Sequence, residues 1–96
     1  MWYEQKPRRD KNGKRWNFVI WSDLHGWAER LFFWDDEQEF CGVILFPPGR
    51  DVYFKRLKQL MEKLVADSAL RKQHRRDLQF PLERYYSEYG AFPEEK

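Results

Sequence analysis

Cysteine is almost absent from this 96-residue chain, and its scarcity limits how the fold can be held together. The one cysteine, Cys41, cannot form an internal disulfide, so packing alone has to stabilise the fold. Such cysteine usage is typical of a reducing compartment. Residues 1–9 lack the apolar core of a secretory signal, and the apolar run at 41–48 is far shorter than the ~20 residues of a membrane span. We therefore expect a cytoplasmic protein that does not enter a membrane.

Catalytic and metal-binding motifs are also scarce, and the chain has only two histidines. Residues 18–26, which contain Asp23 and His25, resemble the first metal-binding motif of the calcineurin-like metallophosphoesterases. That family also needs an Asn-His-Asp/Glu motif and further histidines, whereas this chain has no Asn-His pair. Cys41 lies within an apolar run, where a thiol is a poor nucleophile. We predict no catalytic residue, no metal ligand and no cofactor, and an enzyme of unrecognised type stays open as an alternative.

Aromatic residues, by contrast, are plentiful and make up 19% of the chain. A sequence this rich in large rings can bury enough apolar area to fold, and its length leaves room for one domain. We predict a single domain over residues 1–96, with flexible ends at 1–10 and 91–96.

A period of two in the first half of the sequence predicts three strands. In the first of them, Trp16, Phe18 and Ile20 lie on one face, and the residues between them lie on the other. The predicted strands are residues 15–21, 29–34 and 39–46.

Turn signals separate these strands. Asn12-Gly13 predicts a type I′ hairpin turn, since both central positions of that turn take positive φ. The polar residues 35–38 predict a second hairpin loop. Residues 2–5 fit a short edge strand, although Pro7 removes a hydrogen-bond donor beside it.

Helical periodicity begins after residue 50. Leu57, Met61 and Leu64 belong to one apolar stripe of a helix predicted at 51–66, with Asp51 as its N-cap. Asp67 is a candidate cap for a second helix, and a last short helix is expected from about Pro81 to Gly90. The predicted fold is therefore α+β: an antiparallel meander of three to four strands, then an amphipathic helix packed on one sheet face, then one or two short C-terminal helices.

Both faces of the predicted sheet are apolar, and one helix covers only one of them. Leaving a large side chain in water forgoes roughly 1.5–3 kcal/mol of transfer free energy. The C-terminal tyrosine segment, a second copy of the chain or a different protein partner could cover the other face. The leading hypothesis is a non-catalytic protein-interaction module, with homodimerisation through this face as one arrangement. The expected interface residues are Trp16, Trp21, Phe32, Trp34 and Val43.

The charge pattern supports a different function, although the net charge is only +2. Basic clusters at 6–15 and 71–76 could contact phosphates, while nearby aromatic rings stack on bases. The acidic segment 35–39 opposes a uniformly positive surface, and it also lacks the spacing of a calcium loop. Nucleic-acid binding is therefore the alternative hypothesis. Its expected residues are Arg8, Arg9, Lys11, Lys14, Arg15, Arg71, Lys72, Arg75 and Arg76.

Overall fold

The computed structural model describes residues 2–22, 29–46 and 53–89, which form an antiparallel sheet and three helices. The strands are β1 (Trp2–Glu4), β2 (Arg8–Arg9), β3 (Arg15–Ser22), β4 (Glu29–Asp35) and β5 (Cys41–Phe46), and the helices are α1 (Tyr53–Ala66), α2 (Ser68–Gln73) and α3 (Gln79–Tyr89). The strand order is β1-β3-β4-β5, and β2 also pairs with β3. The predicted α+β fold, with a meander followed by helices, is confirmed. The expectations for Asp23, His25, Asp51, Gly90 and residues 91–96 lie outside the described residues.

The N-terminal segment, where we expected flexibility, supplies two strands to the sheet. β1 pairs antiparallel with β3, so that Trp2 lies opposite Trp21, and β2 pairs with the start of the same strand. Pro7 lies between the two short strands, where its missing amide breaks no strand pairing. The predicted edge strand is therefore present, and β2 continues the same edge.

The first hairpin turn is not the type I′ turn that Asn12-Gly13 predicted. Of these two residues, only Gly13 has a positive φ, at 80°, and the pattern is a three-residue loop with a left-handed glycine. Asp10 explains the difference. Its carboxylate accepts hydrogen bonds from the amides of Asn12 at 2.9 Å and Lys14 at 3.0 Å, which stabilises a wider loop.

The two faces of the sheet carry separate hydrophobic cores. On one face, the stripe of α1 packs Leu57, Met61 and Leu64 against the sheet, as its spacing predicted. We call this cluster the α1-side core, and its strand residues are Trp16, Phe18, Ile20, Leu31 and Phe33. The opposite cluster, the α3-side core, contains Trp2, Val19, Phe32, Trp34, Leu78, Leu82 and Tyr85.

The C-terminal tyrosine segment is thus the covering of the second sheet face. α3 begins at Gln79, two residues before the predicted start, so Pro81 lies in the first turn, where its missing amide is tolerated. Leu82 and Tyr85 then point into the α3-side core and are at most 2% exposed. Of the three candidates for covering this face, the structure therefore shows the C-terminal segment of the chain itself.

To pass from one face to the other, the chain crosses the outer edge of β5. Asp67 caps α2 by accepting from the amides of Ala69 at 2.9 Å and Leu70 at 3.2 Å, as its position predicted. Residues 74–76 then pair with the edge: Val43 donates to the His74 carbonyl at 3.1 Å. The crossing therefore covers the first half of β5.

We expect Gly42→Ala to lower the free energy of unfolding by about 1–3 kcal/mol, because the site is already filled. An added Cβ at Gly42 would overlap the ring of Phe33, which is fully buried. Urea unfolding measures the effect. In a double-mutant cycle, Phe33→Leu should remove part of the penalty, and additive effects would contradict this account.

Candidate functional site

An apolar groove of about 340 Å³ lies between the start of α3 and strands β4 and β5. We call it the α3–β5 groove, and its lining residues are Trp2, Trp21, Arg30, Phe32, Val43, Leu45, Leu78, Phe80, Pro81 and Arg84. Its rim carries Leu45, which is 66% exposed, and Phe80, which is 71% exposed. Large apolar side chains this exposed, at the rim of a concave surface, are typical of an interaction site.

Three of the five residues expected at a partner interface, Trp21, Phe32 and Val43, line this groove. The other two do not. Trp34 is 0% exposed beneath α3, and Trp16 is 3% exposed in the α1-side core on the opposite face. Both rings are therefore buried within the chain itself, in contrast to their expected place at a partner interface.

Leu45, Phe80, Arg30 and Arg84 are groove residues that sequence reasoning did not select. A signal for Phe80 existed: Leu78, Leu82 and Tyr85 follow helical spacing, and Phe80 falls off that stripe. An apolar residue outside the stripe of an amphipathic helix faces away from the core. The sequence offered no comparable signal for the two arginines.

The charged groups of the groove are all cationic. The Arg30 guanidinium lies 5.3 Å from the centroid of the Trp21 ring, and Arg84 lines the opposite wall on α3. None of the described residues that line the groove is acidic. Within the described part of the chain, neither arginine forms an ion pair. The groove therefore combines an apolar floor with positive charge.

The two basic clusters of the sequence meet at the other end of the sheet. Lys14 from the first cluster and Arg71 and Lys72 from the second line a cavity of about 240 Å³, together with Trp16 and Phe40. The Arg71 guanidinium lies 4.4 Å and the Lys14 ammonium 5.3 Å from the Trp16 ring centroid. Asp10 also lines the cavity and adds a negative charge. The Trp16 indole donates to the Asp10 carboxylate at 3.1 Å, which lowers the pKa of that carboxyl.

Most of the predicted nucleic-acid contacts make bonds inside the fold instead. Arg71 donates to the carbonyls of Leu64 at 2.6 Å and Val65 at 2.8 Å, where it satisfies the end of α1. Lys14 pairs with the buried carboxylate of Asp35 at 3.2 Å. These cations stabilise α1 and the second hairpin, so only part of their charge is available to a ligand.

The remaining predicted cations are spread over the surface. The Arg75 guanidinium lies 5.0 Å from the Phe40 ring centroid, and that of Arg8 lies 5.8 Å from the Phe18 ring centroid. Arg15 pairs with Asp36 at 3.6 Å. Arg9 donates to the Gly13 carbonyl in the first turn, close to the exposed Lys11, and Arg76 bonds to carbonyls of its own loop.

The second hairpin brings three carboxylates together. Oxygens of Asp35, Glu37 and Glu39 lie within 4.8 Å of one another. Asp35 is already engaged, because it accepts from the Glu39 amide at 2.8 Å and pairs with Lys14. Glu37 and Glu39 are exposed side chains of a polar loop.

A larger cavity of about 750 Å³ is lined by Cys41 and Tyr86 together with charged residues of both signs. Burial raises the pKa of the Cys41 thiol and of the Tyr86 hydroxyl, so both groups stay protonated near neutral pH. A protonated thiol is a poor nucleophile. Neither group is activated for chemistry by the residues that line this cavity.

Comparison with known proteins adds no family to this picture: no family model, no curated protein and no solved structure matches the chain. Among the described residues, no helix combines the length and the apolar character that crossing a membrane requires.

We expect Arg71→Ala to lower the free energy of unfolding by about 1.5–3 kcal/mol, since it removes charge-assisted hydrogen bonds at the end of α1. Arg76→Ala is the matched control, because the Arg76 side chain is exposed and bonds only to carbonyls of its own loop. Its effect should stay within about 0.5 kcal/mol. Equal effects of the two variants in thermal or urea unfolding would contradict the structural role of Arg71.

Proposed function

We propose that this chain is a non-catalytic protein-interaction module of the cytoplasm that receives a partner at the α3–β5 groove. The observation that carries the proposal is the pair of exposed side chains, Leu45 and Phe80, at the rim of a groove with an apolar floor. Transfer of these two side chains out of water would contribute roughly 1.5–3 kcal/mol each.

The size of the groove indicates what kind of interaction to expect. A volume of about 340 Å³ accommodates a few side chains rather than a whole protein face. Stable interfaces bury at least about 1,200 Å² in total, and smaller ones are typical of transient encounters. The proposed partner therefore inserts a short segment, and the complex is of modest affinity.

Nucleic-acid binding is kept as a second candidate because of one observation. Lys14, Arg71 and Lys72, from both basic clusters of the sequence, line the same cavity beside two aromatic rings. Phosphate contacts from such cations would supply affinity without base specificity. Asp10 in the same cavity weakens this support.

Selection from an unbiased displayed peptide library tests the interaction module. We expect the wild-type domain to enrich peptides whose affinity falls at least about tenfold in Leu45→Ser/Phe80→Ser, because both contacts at the rim are lost. Tyr3→Ser is the matched control: Tyr3 is also an exposed large side chain, 39% exposed, and it does not line the groove.

Selected peptides that bind the double variant as tightly as the wild type would argue against the groove. So would peptides whose affinity falls equally with Tyr3→Ser. Light scattering on the purified wild-type protein gives the oligomeric state at the same time. A dimer that dissociates in Leu45→Ser/Phe80→Ser would identify a second copy as the occupant.

Titration with a single-stranded DNA oligonucleotide at several salt concentrations tests the second candidate. If Lys72 contacts a phosphate, Lys72→Ala should flatten the dependence of log affinity on log salt by about 0.7. Lys58→Ala is the control, since Lys58 is an exposed lysine of α1 that does not line the cavity. Wild-type binding that does not respond to salt would rule this candidate out.

A further inference from the structure

We propose that the α3–β5 groove receives an extended acidic peptide segment, which adds as a strand to the β5 edge beyond the crossing segment 74–76. This inference rests on the proposed interaction function and specifies its partner. Three features of the described residues support it: the backbone of Leu45, the side chains that wall the groove, and the charge of the groove.

The backbone argument follows from the pairing pattern of β5. Val43 donates outward to the His74 carbonyl at 3.1 Å, and the Cys41 carbonyl accepts from the Arg76 amide at 3.0 Å. β5 pairs with β4 in unbroken antiparallel register. Every second residue of such a strand points its amide and carbonyl to the same edge. Leu45 therefore directs both groups outward.

Nothing that the structure describes occupies the edge beyond that crossing. Within residues 2–22, 29–46 and 53–89, the outward bonds of β5 are those that the crossing segment 74–76 makes. An edge of this kind accepts an additional strand, as in peptide recognition by strand addition. Main-chain bonds to Leu45 would supply affinity that does not depend on the peptide sequence.

The side chains beside this edge provide the specificity. Val43 and Leu45 share the face of β5 that lines the groove, and Phe80 and Pro81 form its opposite wall. A strand paired with Leu45 would project alternate side chains onto the same face. Apolar side chains of the peptide would then rest between Leu45 and Phe80.

The charge of the groove selects the polar residues of the peptide. Arg30 and Arg84 line the groove, and neither has a carboxylate partner among the described residues. Aspartate or glutamate in the bound segment would form charge-assisted hydrogen bonds with their guanidinium groups. A nucleic acid would satisfy the charge but would bring a phosphate with every nucleotide against a mostly apolar wall.

A second copy of the chain fits the groove less well. In a two-fold dimer each surface meets its own counterpart. A two-fold interface at the groove would then bring together Arg30 and Arg84 of both copies, and none of the described lining residues is acidic. Like charges opposed in this way disfavour the contact. The observations therefore favour a foreign acidic segment.

Three displayed heptapeptide libraries test the charge preference. All three contain the same apolar residues and differ only in the polar residues allowed: Asp and Glu, Asn and Gln, or Lys and Arg. We expect the wild-type domain to enrich the acidic library, and Arg84→Glu to weaken the best acidic clones about three- to tenfold. Arg56→Glu, a charge reversal at an exposed site of α1 away from the groove, should leave their affinity unchanged.

Backbone methylation of the best acidic clone tests strand addition. Two methylated peptides are compared, one with N-methyl groups at the odd residues and one at the even residues. In one of these two registers methylation removes the amide donors that face β5, and in the other it removes those that face solvent. We expect a loss of at least about tenfold in one register and less than about threefold in the other. Equal responses in both registers would overturn strand addition.

The interaction module and its acidic partner would be overturned by different results. Enrichment of neutral or basic peptides that still require Leu45 and Phe80 would overturn the acidic partner and leave the interaction module standing. Failure of every library, including the unbiased one, would overturn both. A dimer that requires the groove would replace the peptide by a second copy.

Discussion

The rest of the structure depends on the requirement that both faces of β3 and β4 be removed from water. Phe18 and Phe33 on one face and Val19 and Trp34 on the other are at most 2% exposed. A sheet that is apolar on both faces needs a packed layer on each side, and α1 can supply only one. The chain after α1 therefore has to reach the opposite face, and it must cross a sheet edge to do so.

The point at which the chain crosses the outer edge of β5 determines where the groove forms. Residues 74–76 pair with the first half of β5 and leave Leu45 beyond the crossing. α3 starts a few residues later, and its buried stripe of Leu82 and Tyr85 packs under the centre of the sheet. Phe80, which lies off that stripe, is left on the outside of the first turn, opposite Leu45. The groove is thus a geometric consequence of covering the second face with an 11-residue helix.

The elements of this fold could be predicted from the sequence because periodicity is a local property. The stripe of α1, the alternation in β3 and the cap at Asp67 each require only a few neighbouring residues, and each is present as predicted. The type of the first turn could not be predicted from Asn12-Gly13 alone, since the carboxylate of Asp10 competes with the backbone carbonyls for the amides of Asn12 and Lys14. Such a competition depends on where the side chain lies in the folded hairpin.

The candidate site was less predictable, for a related reason. Alternation assigns rings to the two faces of a strand, but it does not say how far a helix extends over them. Trp21 and Trp34 lie on the same sheet face, yet α3 buries Trp34 completely and leaves Trp21 at the groove. Only the path of the C-terminal chain separates a groove residue from a core residue here.

A cluster of basic residues does not by itself indicate a ligand surface when the same sequence is rich in aromatic rings. A guanidinium can cover a ring face and satisfy helix carbonyls at once, because it is planar and carries several donors. Arg71 does both, over Trp16 and at the end of α1, and Arg75 lies over Phe40. Arg30 also lies over a ring, and none of the described residues that line its groove is acidic. Arg30 and Arg84 have no carboxylate partner among the described residues, and in this they differ from the cations that are engaged within the fold.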